Sequence, residues 1–140
     1  MIVLDASAAI EWLFQSPAGI KIDKRIFSTL ETSTPETSTA ETLHVPHLLD
    51  IEVTQVLRRY VRDKTITAQR GEEALQDLDD MPLRRYPHDF LIPRVWELRA
   101  TLSAYDAVYV ALAEVLDALL LTCDGKIASA SGHSANVQVL

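Results

Sequence analysis

Three carboxylates stand where an α/β protein places its ligands. Asp5 closes the apolar run MIVLD, Asp124 closes LLLTCD, and Asp106 opens the helix-like stretch YDAVYVALAEVL. Two buried strands ending this way set Asp5 and Asp124 at strand carboxyl ends, the edge at which open α/β sheets bind ligands. An acidic site there could act on a phosphodiester with a cation supplying the missing positive charge. Each acid also has a plainer use. Asp5 could cap the helix after it, Ser103-Ala-Tyr-Asp106 fits a capping box, and Asp124 before Gly125 could be a turn residue or a cap.

The elements around these acids alternate. Ile2 to Asp5 is a buried strand and ASAAIEWLF a helix with Ser7 near its start, broken by Pro17 and Gly19. Ile22, Ile26 and Leu30 then predict a helix over Ile20 to Leu30. The stretch Glu31 to Thr42, with ETST twice, is a low-complexity acidic loop. Leu43 to Pro46 is a short strand, and HLLDIEVTQVLRRYVRD is a helix whose apolar face runs through Leu49, Val53, Val56 and Tyr60. Thr65 or Thr67 caps a helix over AQRGEEALQDLDD. MPLRRYP gives a strand, LIPRVWELRATL a helix, and Ala104 to Leu116 the central helix. Ala118 to Thr122 is a buried strand, DGKIASA a short helix and NVQVL a last strand. Apolar strands alternating with helices predict a parallel sheet covered on both faces.

A fourth acid is ambiguous. On the helix after Pro46, Glu52 lies at one border of the apolar stripe, and Asp50 lies at the other, roughly 160° away. They cannot share one site, and the helical wheel does not choose between them. Asp50 in the first turn is explained by the helix dipole.

Bulk properties narrow the classes. The chain has 140 residues, 48% hydrophobic, which predicts one domain over 1–140 with a sizeable core. No apolar run approaches a membrane span and the N-terminus lacks a basic, apolar leader, so the expected compartment is cytoplasmic, with no membrane partner. A single cysteine, Cys123, excludes an internal disulfide. The net charge of −7 argues against nucleic-acid binding through a broad basic surface and suits a basic protein partner.

The segments MIVLDASAAIEWL, PHLLDIEVTQVLRR, LSAYDAVYVALAE and LLLTCDGKIA, in this order along nearly the whole chain, resemble the PIN-domain nucleases, especially the VapC toxins of toxin–antitoxin pairs. The resemblance implies a three-layer α/β/α sandwich around a mostly parallel sheet of four to five strands. It also implies an acidic catalytic and metal site of Asp5, Glu52, Asp106 and Asp124, and so selects Glu52 over Asp50. Where the family often carries Asn three residues after the helix glutamate, this chain has Gln55, and the ETST-rich insertion exceeds the usual connection. Four converging carboxylates repel one another, a like-charged pair at about 4 Å costing roughly 4 kcal/mol at an effective dielectric of 20. Such a cluster needs a cation, and oxygen-only ligands suit Mg²⁺ or Mn²⁺. The implied function is a metal-dependent endoribonuclease toxin, with RNA as substrate, a cognate antitoxin as partner and a homodimer as assembly.

Two other readings compete. A PIN-like module could bind protein or RNA without cutting. An aspartyl phosphotransferase of the dehalogenase type would want a second acid two residues after Asp5, where Ser7 stands. Ser7 could support a ligand or cap a helix, and Thr122 could orient Asp124 or serve the strand. Arg58, Arg59 and Arg62 share one side of their helix, as a solvated face or as contacts for phosphate or a partner. Arg84 and Arg85 alternate across a strand, and His44 and His47 lack a third zinc ligand. Trp12, Phe14 and Trp96 are core or interface residues.

Overall fold

The computed structural model describes residues 1–31 and 41–140, so the ETST-rich loop predicted over Glu31 to Thr42 lies almost wholly outside the described residues. Five parallel strands form one sheet: β1 (Ile2–Leu4), β2 (Leu43–Pro46), β3 (Leu83–Tyr86), β4 (Leu119–Thr122) and β5 (Asn136–Val139), in the order β3-β2-β1-β4-β5. Helices flank it as α/β/α layers: α1 (Ala6–Leu13), α2 (Pro17–Glu31), α3 (Leu48–Arg62), α4 (Ala68–Asp80), α5 (Ile92–Glu97), α6 (Ala104–Leu116) and α7 (Gly125–Ser129). No helix among the described residues is long and apolar enough to cross a membrane.

The central strands are apolar because both of their faces are covered. Every residue of β1 is fully buried, and β1 pairs with β2 through Ile2↔Leu43 and with β4 through Leu4↔Leu121. Helix α6 packs against β1, β2 and β4, and its residues Ala107 to Ala113 are all buried. Such a helix is apolar all round, and small alanines let it lie close to the sheet. It ends at Asp117, in the left-handed conformation (φ 48°, ψ 46°), which a short polar side chain tolerates. The chain thereby turns straight into β4.

The sheet order fixes where a site can form. From β1 the chain moves out to β2 and β3 on one side, then returns to β4 and β5 on the other, so the reversal falls between β1 and β4. A crevice opens outside the carboxyl ends of strands at such a reversal. Asp5 follows β1 and Asp124 lies two residues beyond β4, so both acids are delivered to that crevice by the topology.

Three local expectations are corrected. The first helix ends before Pro17 as expected, but the second begins at Pro17 and not at Ile20, with Gly19 inside it. Pro17 is the first residue of α2, and Ser16 caps it by accepting from the Gly19 amide at 3.0 Å. The stretch LIPRVWELRATL is not one helix: a 3₁₀ turn (Asp89–Leu91) leads into α5, and another (Leu98–Ala100) follows. Pro93 in the first turn forces a start there, because it donates no backbone hydrogen bond. The apolar face of α3 runs through Leu49, Val53 and Leu57, with Val56 and Tyr60 only half-buried.

Other side chains settle into structural roles. Trp12 is buried and its indole donates to Asp23 at 3.0 Å, whereas Trp96 is 66% exposed and carries the Arg99 guanidinium 4.7 Å from its ring. His44, buried on β2, has both ring nitrogens engaged, one with Thr42 Oγ1 at 2.8 Å and one with Tyr86 Oη at 2.7 Å. Burial and the nearby Arg84 hold its pKa below the usual value. Arg94 ties α5 to α6 through a bidentate pair with Glu114 at 2.8 and 3.0 Å and also donates to the Gly132 carbonyl at 2.8 Å. Arg94 holds the Glu114 carboxyl below the usual range.

Candidate active site

Asp5 is the most constrained of the predicted acids. It is only 5% exposed and caps α1, accepting from the Ala8 amide at 2.8 Å. The Ser7 hydroxyl donates to its Oδ1 at 2.7 Å, and the Thr122 hydroxyl donates to Oδ2. Ser7 and Thr122 are themselves tied down: Ser7 Oγ accepts from the Cys123 amide and Thr122 Oγ1 from the Asp124 amide, each at 2.9 Å. Two hydroxyls thus staple the end of β1 to the end of β4. Capping thus uses one oxygen of Asp5, and Ser7 serves the carboxylate beside it. Burial raises the Asp5 pKa, the three hydrogen bonds oppose it, and the Asp106 charge adds to the rise.

Glu52 enters the crevice from α3. It is half-buried and accepts from the Tyr109 hydroxyl of α6, a side chain only 2% exposed. Burial raises its pKa first, the Tyr109 hydrogen bond opposes, and the charges of Asp106 and Asp5 raise it further. Tyr109 is in turn pushed well above the usual tyrosine value by burial and by Glu52. Asp50 goes the other way. Arg85 of β3 grips it with Nε at 2.8 Å and Nη2 at 3.1 Å, so it is neutralised outside the crevice.

Asp106 sits in the first turn of α6. Ser103 caps that helix, accepting from the Asp106 amide at 3.1 Å while its hydroxyl donates to the Asp106 carboxylate at 2.9 Å. The capping box is therefore altered: the acid takes the serine hydroxyl, not the backbone amide that a capping box offers. Asp124 caps α7 by accepting from the Lys126 amide at 2.9 Å. It reaches Asp5 through its own amide and Thr122, and it is not among the charges acting on Asp5 or Glu52. The charge of Asp106 thus acts on both Asp5 and Glu52, whereas the Asp124 carboxylate is engaged by the Lys126 amide at the start of α7. Gln55 is exposed on α3.

A hard divalent cation suits this donor set. Oxygen is the only ligand type, and among the described residues the hydrogen-bond partners of the Asp5, Glu52, Asp106 and Asp124 carboxylates are neutral hydroxyls and amides. Among the described residues no ion pair engages any of the four. Three mutually repelling carboxylates with no cation from the chain form a site that an external one would stabilise. As the side chains stand, no three acidic, histidine or cysteine groups among the described residues are at cation-binding spacing. Asp106 is turned onto Ser103 and Asp124 onto α7.

A model of the PIN-domain family matches residues 2–132. The chain belongs to the PIN-domain family. Within it, the chain is 36% identical over 140 residues to Ribonuclease VapC12 of Mycobacterium tuberculosis, covering 100% of this chain and 99% of that one. It is 38% identical to Ribonuclease VapC9 of the same organism, covering 100% and 98%. Among solved structures, VapC20 of Mycobacterium tuberculosis, described as a sarcin–ricin loop cleaving toxin, superposes with a TM-score of 0.65 at 15% identity, covering 96% of this chain and 97% of that one. This PIN domain is therefore of the VapC ribonuclease type, with the predicted three-layer sandwich.

Tyr109, the support of Glu52, escaped the sequence reading. Its signal was present: it lies three residues after Asp106, on the same face of α6. Glu52→Gln keeps an oxygen for Tyr109 and removes one of three repelling charges, so in metal-free buffer at pH 7 it should gain about 1 kcal/mol, some 2–4 °C in Tm. A raised carboxyl pKa destabilises the fold only where the group is ionised, so the gain should vanish as pH falls through that pKa toward about 4. A thermal melt at both pH values checks this, and a lower Tm at pH 7 would make Glu52 a structural support.

Proposed function

We propose that this chain is the toxin of a toxin–antitoxin pair and that it cuts RNA with Mg²⁺ or Mn²⁺ held by Asp5, Glu52, Asp106 and Asp124. The observation that carries the site is the crevice of mutually repelling acids bound only to neutral donors, on a chain homologous to ribonucleases over its full length. A bound divalent cation there would offset the acids' charge, offer a phosphate oxygen a counter-charge and acidify a water for in-line hydrolysis. Ser7 and Thr122 hold both oxygens of Asp5 and Tyr109 holds Glu52, while Asp106 and Asp124 would turn from Ser103 and the Lys126 amide to meet the cation.

Beside the acids, neither Ser7 nor Cys123 is set up to attack the phosphorus covalently. The Ser7 hydroxyl donates to Asp5 and accepts from Cys123. Burial, then the charges of Asp5 and Glu11, push the Cys123 thiol up, away from the thiolate. Water is the remaining nucleophile, and Asp5 and Glu52 are the bases within the crevice. A module that merely binds has no use for Asp5 and Glu52 held side by side under the added charge of Asp106, which favours the cutting enzyme.

The partners follow from charge and surface. A basic segment of the antitoxin answers the net charge of −7, and the RNA being cut places the protein in the cytoplasm. The homodimer draws support from the exposed apolar side chains of Phe90, Ile92 and Trp96, near one another in sequence in and just before α5. Sedimentation of the purified chain should give twice the monomer mass, and Trp96→Glu should return the monomer; a monomer throughout would remove the dimer. The activity itself is tested by incubating a pool of structured RNAs with the chain in Mg²⁺, in Mn²⁺ and in EDTA. Cutting that requires the cation is expected, and cutting in EDTA would exclude the acidic metal site.

A further inference from the structure

Beside the acids, a second space opens between α1 and α3. It measures about 260 Å³ and is lined by Ala6, Ser7, Ile10, Glu11, Val56, Arg59 and Tyr60. Ser7 belongs to both places, because its hydroxyl holds Asp5 while its side chain lines this wall. On α3, Arg59 follows Glu52 by seven residues, which sets the two within about 20° on one face and about 10.5 Å apart along the axis. Ser7 therefore joins the groove to Asp5.

We infer that this groove is a nucleotide subsite that holds the RNA residue flanking the cleaved bond, with Arg59 on its phosphate. The inference rests on the ribonuclease reading and adds residues outside the acid cluster. The wall carries the three chemistries that a nucleotide presents. Arg59 is exposed, engages no carboxylate among the described residues, and its guanidinium lies 5.9 Å from the Tyr60 ring. An arginine left without a carboxylate on a chain of net charge −7 is a ready contact for an anion. Tyr60 is held edge-on by Phe14, centroids 6.1 Å apart, and with Ile10 and Val56 offers an aromatic and apolar surface for a base. Glu11 only accepts hydrogen bonds, which suits a ribose 2′-hydroxyl and not a phosphate.

The neighbouring arginines lack this placement. Arg58 lines a different space, between α3 and α4, with Leu57, Val61 and Leu75. Arg62 is paired with Asp63 at 3.0 Å. The three that shared one side of the helical wheel are thus divided by the structure, and only Arg59 adjoins the acids.

The test measures binding separately from cutting. In an Asp5→Asn background, which prevents turnover, a short fluorescein-labelled single-stranded RNA of mixed sequence is titrated in Mg²⁺ between 50 and 200 mM salt and followed by anisotropy. Adding Arg59→Ala should weaken binding several-fold and lower the slope of log K against log[salt] by about 0.7, the share of one phosphate contact on a single strand. Arg59→Lys should keep the slope, and Glu11→Gln should narrow the preference for RNA over the same sequence in DNA. An unchanged slope in Arg59→Ala, with an unchanged Tm, would overturn the subsite and leave Arg59 to an acidic protein segment. A parent chain that cuts no RNA while the Arg59→Ala slope still falls would overturn the ribonuclease reading and leave the subsite standing.

Discussion

Asp5→Asn should abolish RNA cleavage, by at least about a thousandfold, and leave the fold in place. A thousandfold corresponds to roughly 4 kcal/mol of barrier, a size expected when one ligand of a catalytic cation is lost. The structural side is set by the three donors around Asp5. Asparagine keeps one oxygen, enough for the Ala8 amide and Ser7 hydroxyl that both use Oδ1. Its amide nitrogen then faces Thr122, whose hydroxyl can accept a second hydrogen bond beside that from the Asp124 amide. The lost charge also relieves repulsion with Asp106. These effects oppose one another, so stability should change by no more than about 1 kcal/mol. Cleavage of the RNA pool and a thermal melt, run on the same sample, separate the outcomes. Full activity would remove Asp5 from the site, and a collapse in Tm would make it a cap alone.

The local sequence carried the fold and half of the site. Apolar runs that end in acids, such as MIVLD and LLLTCD, fix both a buried strand and its polar tip, and the structure places both where the pattern implied. Asp5 and Asp124 were visible as caps, and Asp106 as the first-turn acid behind the Ser103 cap, for the same reason: a cap needs only its own next turn. Glu52 was not legible locally. Its choice over Asp50 depends on Arg85, thirty-five residues away, which claims Asp50, and on Tyr109, fifty-seven residues away, which claims Glu52. A helical wheel knows neither partner. The altered capping box at Asp106 is of the same kind, since the side chain of Ser103 supplies what the backbone was expected to supply. The start of α2 was placed three residues late because a proline at a helix start and a glycine at a helix contact look, in sequence, like linker.

Gly19→Ala should be among the most damaging small substitutions in the chain. A methyl group at this position would stand 2.0 Å from the Glu11 carbonyl oxygen, 2.6 Å from its carbon and 3.0 Å from the Trp12 Cα. All three are backbone atoms, so no side chain can swing aside. The α1–α2 corner has little slack to offer. Glu11 O already accepts from the Ser16 amide at 3.2 Å, Gln15 is in the left-handed conformation at φ 50°, and Ser16 caps α2 through Gly19 itself. Opening the corner to admit a methyl would break those bonds and lift Trp12 and Ile22 from the core. Overpacking of this type costs about 3 kcal/mol, or some 6–12 °C in Tm for a chain of this length. Gly125→Ala supplies the internal control, because a methyl there meets nothing within 4 Å and lies at the start of α7. It should leave Tm unchanged or raise it by the few tenths to 1 kcal/mol that follow from a stiffer unfolded chain. Equal melting temperatures for the two alanine variants would show that α1 and α2 do not meet at Gly19 as closely as the structure places them.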